Sequence, residues 1–186
     1  EELPGAHRDP APSRETLQTP QAGLQTELRD AERYVRAMLP PPVSEPWSID
    51  WRFVPRTDLA GNSFAYHWVV DDHFALYLID VCGHGVGSAL LAVAVADTLR
   101  SEALQRTDFH RPGEVLGALN LAYQMESHGD LFSTVWYGVY QRSTSRLRYA
   151  SAGHPPAFLV SAAEGEAGAG RTLEASGPCI GIAPAA

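Results

Sequence analysis

The order of the predicted elements limits the fold of this chain more than any other feature of the sequence. Residues 85–104 are rich in Ala and Leu without proline, and residues 112–127 begin with proline at a favoured first-turn position, so both are predicted as helices. Strand-like segments flank this pair, at residues 47–54, 64–70 and 74–79 before it and 133–141, 147–152 and 157–161 after it. The elements do not alternate as in a doubly wound sheet, so we expect an α+β domain of antiparallel sheets with helices on their faces.

The N-terminal forty residues divide into two parts. Residues 1–20 contain four prolines and almost no large apolar side chains, so they are predicted as a disordered or linker segment. In residues 21–40 the apolar positions recur every three or four residues and form one helical stripe, which consists of Leu24, Leu28, Ala31, Val35 and Met38. Two interpretations of this connector helix are open: it packs on its own domain, or it ends a coiled coil from an upstream domain and forms a homodimer through residues 21–39. Residues 43–186 are predicted as one domain.

Charge and composition limit the classes of partner and location. The formal net charge of -8 would repel a phosphate backbone or an anionic lipid surface, so neither nucleic acid nor membrane is an expected partner. No segment approaches the roughly 18 apolar residues that a spanning helix needs, and the first twenty residues do not resemble a signal peptide. The two cysteines, Cys82 and Cys179, form neither a disulfide framework nor a zinc-ligand spacing, so a cytoplasmic location is expected.

Asp80 is the first candidate for chemistry, because it stands where a predicted strand meets a glycine-rich turn, Asp80-Val81-Cys82-Gly83-His84-Gly85. Glycines let the backbone turn tightly, so a carboxylate and a main-chain carbonyl can face the same hard cation. Such a cation would activate a water molecule. On these residues alone, a structural role for Asp80 as a hydrogen-bond acceptor in the turn remains an open alternative.

Five segments, in order along the chain, match a known pattern. The segment from Asp80 to Leu91 resembles DVSGHGVxxALL; residues 31–40, 132–139, 147–156 and 177–182 resemble AxxxQxxLLP, FxTxxYGxxD, LxYxxAGHPP and GxxLGL. Together they resemble the SpoIIE/RsbU-type PPM (protein phosphatase 2C-like) family of bacterial serine phosphatase domains. The resemblance covers about residues 31–182, and its DVxGHG and AGHPP motifs are specific.

The resemblance implies a PPM phosphatase-type β-sandwich, in which two antiparallel sheets are packed together and flanked by helices. The sandwich would be C-terminally incomplete, since the sequence stops before the family's YSDGxxE segment and final Asp. It also implies a two-metal Mn²⁺ or Mg²⁺ centre, where a bridging water of lowered pKa yields the hydroxide that attacks phosphorus. By the match, Asp80 is the catalytic residue that bridges both metals, and the Val81 carbonyl is a further metal ligand or a water-mediated contact.

The implied function is a metal-dependent phosphoserine/phosphothreonine protein phosphatase. Its substrate would be a phosphorylated bacterial regulatory protein of the anti-sigma-factor antagonist type, and an upstream sensor or receiver domain would control it. The family's GGDxYD segment matches residues 60–65 here, where Asn62 replaces the first, metal-binding Asp. An amide oxygen can still coordinate, but the lost charge is expected to weaken metal binding on the order of several kcal/mol before screening. The alternative function is therefore a catalytically impaired pseudophosphatase that binds a regulatory protein.

Two histidines and four tryptophans complete the candidates. A structural role is expected for His84, through hydrogen bonds in the loop after Asp80, with general acid catalysis as the alternative. A structural role is also expected for His154, in a connection between strands. The tryptophans at positions 47, 51, 68 and 136 lie in alternating segments, so they are predicted as core residues and not as a nucleotide-stacking platform.

Overall fold

The computed structural model describes residues 14–54, 59–160, 170–182 and 184. The helices are α1 (Arg14–Ala37), α2 (Val86–Arg100), α3 (Pro112–Ala122) and a short 3-10 helix (Met125–Ser127). The strands are β1 (Asn62–Val70), β2 (His73–Val81), β3 (Ser133–Gln141), β4 (Arg146–Ala152), β5 (Ala157–Val160) and β6 (Gly170–Leu173). The two consecutive helices between strand pairs confirm the predicted α+β class.

The sheets are antiparallel. One has four strands in the order β1-β2-β3-β4, and the other consists of β5 and β6. The tight turn at Asp71 and Asp72 joins β1 to β2 as predicted, with an irregularity in the register between Trp68 and Val70. In the described part of the chain, the second sheet of the predicted sandwich thus amounts to a two-stranded hairpin.

The core lies between the four-stranded sheet and helices α2 and α3. Side chains alternate across a strand, so one face of β2 and β3 presents a continuous apolar surface to the helices. Its largest buried members are Tyr77, Ile79, Val81, Val135 and Tyr137, which pack with Val95, Leu99, Val115 and Leu119 of the helices. Full burial of each Val or Leu contributes roughly 1.5–3 kcal/mol, so this face holds the sheet and helices together.

The opposite face of the sheet is covered in part by the segment that precedes β1. The ring of Trp47 lies 5.4 Å from that of Trp68 and 5.1 Å from that of Tyr140, and the ring of Trp51 lies 5.0 Å from that of Phe64. The strand predicted at residues 47–54 is therefore wrong. These residues form no regular strand, because their alternating aromatic side chains contact the sheet face instead of pairing with a neighbouring strand.

The tryptophans differ in burial. Trp136 is 2% exposed and belongs to the core as predicted, whereas Trp68 is 39% exposed. Trp47 and Trp51 are half-buried, and the indole N–H of Trp51 donates to the Pro40 carbonyl at 3.0 Å. The prediction of a core role thus holds fully for Trp136 alone among the four.

Helix α1 begins earlier than predicted. Residues 14–20, interpreted as linker, are helical, while the rest of that segment, residues 1–13, lies outside the described residues. The apolar stripe is half-buried from Leu28 to Met38, and Val35 and Met38 border a small cavity with Val93 of α2. The contact with Val93 favours packing of the C-terminal end of α1 on its own domain. Leu24 is 59% exposed, so the coiled-coil interpretation stays open for the N-terminal end of the stripe.

Two helix ends and one strand also differ from the prediction. Helix α2 ends at Arg100, and α3 ends at Ala122 before the short 3-10 helix. Strand β6 was not predicted, and the loop predicted next to it, residues 162–170, lies outside the described residues apart from Gly170. None of the helices in the described residues is long and apolar enough to span a lipid bilayer.

Candidate active site

Asp80 lies near the end of β2, between two residues of the neighbouring strands. It pairs with Asn62 of β1 on one side and with Thr134 of β3 on the other. Directly opposite residues of antiparallel strands project to the same face, with Cβ atoms about 4.5–5.5 Å apart. The row Asn62–Asp80–Thr134 therefore lies on the face turned away from α2 and α3. The structure brings together Asn62 and Asp80, which were predicted as metal ligands on separate strands.

Val81, the third predicted ligand, has a fixed main chain. Its N–H donates to the Gly61 carbonyl at 3.0 Å, and its side chain is buried in the core. A Cβ atom at Gly61 would lie 2.6 Å from the Val81 carbonyl oxygen, closer than real Cβ contacts come. Only glycine therefore allows the chain before β1 to approach this carbonyl. Sequence reasoning did not single out Gly61, although it lies within the GGDxYD-like segment.

The turn after Val81 is held by its neighbours. Gly83 and Gly85 have φ angles of +82° and +92°, which favour glycine and confirm the predicted tight turn. The buried Ser88 hydroxyl donates to the Cys82 carbonyl at 3.0 Å, and the Cys82 Sγ accepts from the Phe132 N–H at 3.2 Å. These contacts from α2 and from the approach to β3 fix the loop.

His84 does not fill its expected structural role. Its side chain is exposed, and its ring makes no hydrogen bond to any part of the chain that the structure describes. Ser88 and Cys82 supply the loop contacts instead. An exposed imidazole in the loop after Asp80 leaves the general acid interpretation open.

A cavity of about 460 Å³ opens over the row of Asp80. Asn62, Asp80 and His154 border it at one end, and apolar side chains such as Phe64 and Leu78 extend it along the sheet. The opposite wall is the segment of residues 49–54, which includes Asp50 and Arg52. The cavity thus combines polar groups near Asp80 with an apolar extension.

His154 lies at this cavity, which the sequence did not indicate. Its Nδ1 is 2.9 Å from the Thr134 hydroxyl, so the ring stands beside the row that contains Asp80. Burial lowers the pKa of His154 below its ordinary value of 6.5, and the Asp80 carboxylate opposes this shift in part. Burial therefore favours the neutral form of the imidazole. The only sequence signal was its place in the AGHPP-like segment.

The residues present match part of a divalent-cation site. The carboxylate, amide and carbonyl oxygens of Asp80, Asn62 and Val81 are the hard donors that Mg²⁺ and Mn²⁺ prefer. They carry one negative charge in total, and no group of three His, Cys, Asp or Glu residues within the described ranges could hold a metal ion. These residues therefore fit one side of a cation site and do not by themselves make up a two-metal centre.

Comparison with known proteins decides the family. The profile of the family described as Stage II sporulation protein E (SpoIIE) matches residues 70–186, which is more than half of the chain. The chain belongs to the SpoIIE family. The match includes Asp80, Val81, Thr134 and His154, while Asn62 lies before it.

Curated relatives of this SpoIIE-family chain include two from Bacillus subtilis. Phosphoserine phosphatase RsbU is 28% identical over 171 residues, which covers 90% of this chain and 49% of RsbU. Phosphoserine phosphatase RsbP is 26% identical, covering 84% of this chain and 38% of RsbP. Protein IcfG of Synechocystis sp. is 28% identical over 77% of this chain and 26% of its own length. The chain thus spans about half or less of these relatives.

Solved structures show the same fold for this SpoIIE-family chain. The SiaA-PP2C domain of Pseudomonas aeruginosa matches with a TM-score of 0.64 and 20% identity, over 87% of this chain and 64% of that chain. The structure of the RsbU and RsbW domains of Rv1364c from Mycobacterium tuberculosis matches with a TM-score of 0.53 and 25% identity, over 69% and 34% respectively. The fold therefore has PP2C-like neighbours.

Proposed function

We propose that this chain is the catalytic domain of a metal-dependent phosphoserine/phosphothreonine protein phosphatase. The observation that carries the proposal is the position of Asp80, in register with Asn62 and exposed at the open cavity of a SpoIIE-family domain. Relatives named phosphoserine phosphatases support the same reaction. The proposed substrate is a phosphorylated bacterial regulatory protein of the anti-sigma-factor antagonist type.

Each residue of the site has a proposed part. The Asp80 carboxylate, the Asn62 amide oxygen and the Val81 carbonyl would hold Mn²⁺ or Mg²⁺ from one side. When bound, the ions would acidify a water molecule and bind phosphoryl oxygens. Gly61 keeps the Val81 carbonyl in place, and the contacts of Ser88 and Cys82 hold the turn, so the donors keep their positions without a ligand.

Control by an upstream sensor or receiver domain is proposed to pass through helix α1. Its residues Val35 and Met38 border the same small cavity as Val93 and Ala96 of α2, and α2 follows directly from the turn that comes after Asp80 and Val81. A shift of α1 could therefore move α2 and the turn together. A homodimer through residues 21–39 is the proposed source of such a shift, and the exposed Leu24 would lie in its interface.

A second function is favoured by one observation. Asn62 leaves Asp80 as the only carboxylate among the three proposed ligands, so the affinity for a divalent cation is reduced. A pseudophosphatase that binds a regulatory protein without hydrolysing it would tolerate such a site. The two functions differ in whether the protein binds Mn²⁺ and turns over a phosphorylated substrate.

Two measurements distinguish the phosphatase from the pseudophosphatase. Mn²⁺ is titrated calorimetrically into the full-length protein, and hydrolysis of a phosphoserine protein is measured in parallel. The native protein is expected to bind Mn²⁺ and hydrolyse the substrate, and Asp80→Asn to lose both. Asn62→Asp is expected to tighten Mn²⁺ binding about tenfold or more, because it restores a charge beside the cation. Thr144→Asp, which adds the same charge in the turn between β3 and β4, is the matched control and should change neither quantity.

The outcomes are distinct. Turnover by the native protein that Asp80→Asn abolishes supports the phosphatase. A native protein that neither binds Mn²⁺ nor hydrolyses the substrate contradicts it, and Mn²⁺ binding gained only in Asn62→Asp then favours the pseudophosphatase.

A further inference from the structure

The backbone at His154 is held in a defined position by neighbouring segments. Gly153 has a φ of +69° and forms an isolated parallel bridge with Val135 of β3. The Ser151 hydroxyl donates to the His154 carbonyl at 2.9 Å. A Cβ at Gly153 would lie 2.5 Å from the Cys179 Sγ, so the segment after β6 lies close against this turn. His154 is therefore placed by tertiary contacts and not by a flexible loop.

The His154 ring is oriented by one hydrogen bond. Its Nδ1 lies 2.9 Å from the hydroxyl of Thr134, which pairs directly with Asp80 across β2 and β3. With Nδ1 engaged, Nε2 is the ring nitrogen that remains for a ligand. The side chain borders the cavity that Asp80 and Asn62 also border, so a group bound against Asp80 would lie within reach of this ring.

The chemistry of the ring suits an anionic ligand. When the Thr134 hydroxyl donates to Nδ1, the neutral imidazole carries its proton on Nε2 and is a hydrogen-bond donor there. A neutral donor can bind a phosphoryl oxygen without repelling a cation held by Asp80.

We propose that His154 is a substrate-contacting residue, whose Nε2 donates a hydrogen bond to a phosphoryl oxygen of the group bound at Asp80, and that Thr134 is the positioning residue that holds the ring. The inference rests on the proposed phosphatase function and adds to it a phosphate contact from outside the metal ligands. It also assigns a role in binding to the AGHPP-like turn.

The first test measures binding of inorganic phosphate. The full-length protein, with ¹⁵N-labelled histidine, is titrated with inorganic phosphate in the presence and absence of Mn²⁺. The ring signal of His154, identified by its loss in His154→Ala, is expected to shift as phosphate binds. The dissociation constant for phosphate is expected to rise about tenfold in His154→Ala, the loss of one charge-assisted hydrogen bond.

The second test measures turnover and metal binding in the same variants. The kcat/KM of His154→Ala is expected to fall about 10- to 100-fold, while the Mn²⁺ affinity stays within about twofold of the native value. His154→Gln, which retains a donor, should recover part of the loss. Thr134→Val preserves the side-chain volume and should lower kcat/KM by a smaller factor, also without a change in Mn²⁺ affinity. This second variant keeps the test valid if His154→Ala does not fold. His110→Gln, on a ring that contacts His73 at the other end of β2, is the control.

The results separate this inference from the proposed function. Normal turnover in His154→Ala, with a ring signal that phosphate does not move, overturns the role of His154 and leaves the phosphatase proposal standing. If the native protein shows no turnover, the phosphatase proposal fails, and the phosphate titration alone then decides whether His154 contacts the anion.

Discussion

At the scale of single residues, the candidate site depends on a close approach between Gly61 and the carbonyl of Val81. The distance from an added Cβ to that carbonyl oxygen would be 2.6 Å, so any side chain must push the two segments apart. The position of a proposed metal ligand therefore rests on a residue with no side chain.

Gly61→Ala is expected to destabilise the protein and to weaken Mn²⁺ binding. Overpacking of this kind costs about 1–3 kcal/mol, and separation of the two segments moves Asn62 away from Asp80 and the Val81 carbonyl. Urea unfolding measures the first effect and calorimetry the second. Gly113→Ala is the matched control, because a Cβ at Gly113 meets no atom within 4 Å. Equal free energies of unfolding for Gly61→Ala and Gly113→Ala would contradict the claim that the close contact between Gly61 and the Val81 carbonyl requires glycine.

The residues of the site differ in how far the sequence could predict them. Asp80 was predicted from a local signal, a strand followed by glycines, whereas Val81 and Asn62 were predicted from the resemblance of the segments around them. The proximity of His154 could not be read locally, because it arises from the bridge between Gly153 and Val135 and the hydrogen bond to Thr134. Both contacts join segments far apart in sequence.

At the scale of elements, β3 and β4 are joined by a packed aromatic pair. The Trp136 ring stacks on Tyr149 with a centroid distance of 5.8 Å and lies over Gly138, which pairs with Tyr149. A Cβ at Gly138 would lie 2.5 Å from the Trp136 ring. The glycine thus leaves space for the indole on this face.

Gly138→Ala is expected to lower the free energy of unfolding by about 1–3 kcal/mol, because the buried indole must move. Gly117→Ala in α3 is the opposite case, since a Cβ there meets nothing within 4 Å. It is expected to raise stability by about 0.5–1 kcal/mol through the better helix propensity of alanine. Thermal and urea unfolding of both variants measure the difference, and a destabilised Gly117→Ala or an unchanged Gly138→Ala would contradict it.

The predicted elements failed where tertiary contacts override a local pattern. The bounds of β3 were predicted correctly, because a continuous apolar run with aromatic residues has few alternatives to a central strand. The alternation in residues 47–54 also resembles a strand, yet it arises from aromatic side chains that contact the sheet face. Strand β6 has only four residues, and Leu173 alone is buried, so the segment carries little hydrophobic signal.

At the scale of the whole molecule, stability is expected to depend on pH through a buried histidine. Both ring nitrogens of His67 are buried without a hydrogen-bond partner among the described residues, and the Glu102 carboxylate lies 3.9 Å from Nε2. Burial lowers the pKa of His67 from its ordinary value of 6.5, and the nearby charge of Arg100 lowers it further. The folded state therefore binds the proton more weakly than the unfolded state does.

The consequence is a loss of stability in mild acid. The contribution of neutral His67 to the free energy of unfolding is fully present above about pH 6.5. It is lost as the pH falls through the lower pKa of the folded state. Its slope is at most about 1.4 kcal/mol per pH unit for one proton. Urea unfolding of the metal-free protein is measured between pH 8 and pH 5. The free energy of unfolding should depend less steeply on pH in His67→Leu than in the native protein. His84→Gln, which changes an exposed ring, should leave the slope unchanged; an unchanged slope in His67→Leu would contradict the assignment.

The overall class of the fold was predictable because it follows from the order of the elements, while the arrangement of the sheets was not. Antiparallel pairing of β1 to β4 follows from short connections and from the two helices between the strand pairs. The partial cover of the second face by residues 47–54 depends on aromatic contacts, such as that between Trp47 and Tyr140, that no sequence pattern specifies.

The turn between β1 and β2 offers a place for a spectroscopic label. It lies at the opposite end of the hairpin from Asp80, roughly 25–30 Å away along an extended strand. Asp72 accepts hydrogen bonds from the N–H and hydroxyl of Ser143, whereas Asp71 is exposed. A fluorophore attached through Asp71→Cys would therefore report the tumbling of the domain, and its capture by a larger binding protein, without entering the cleft.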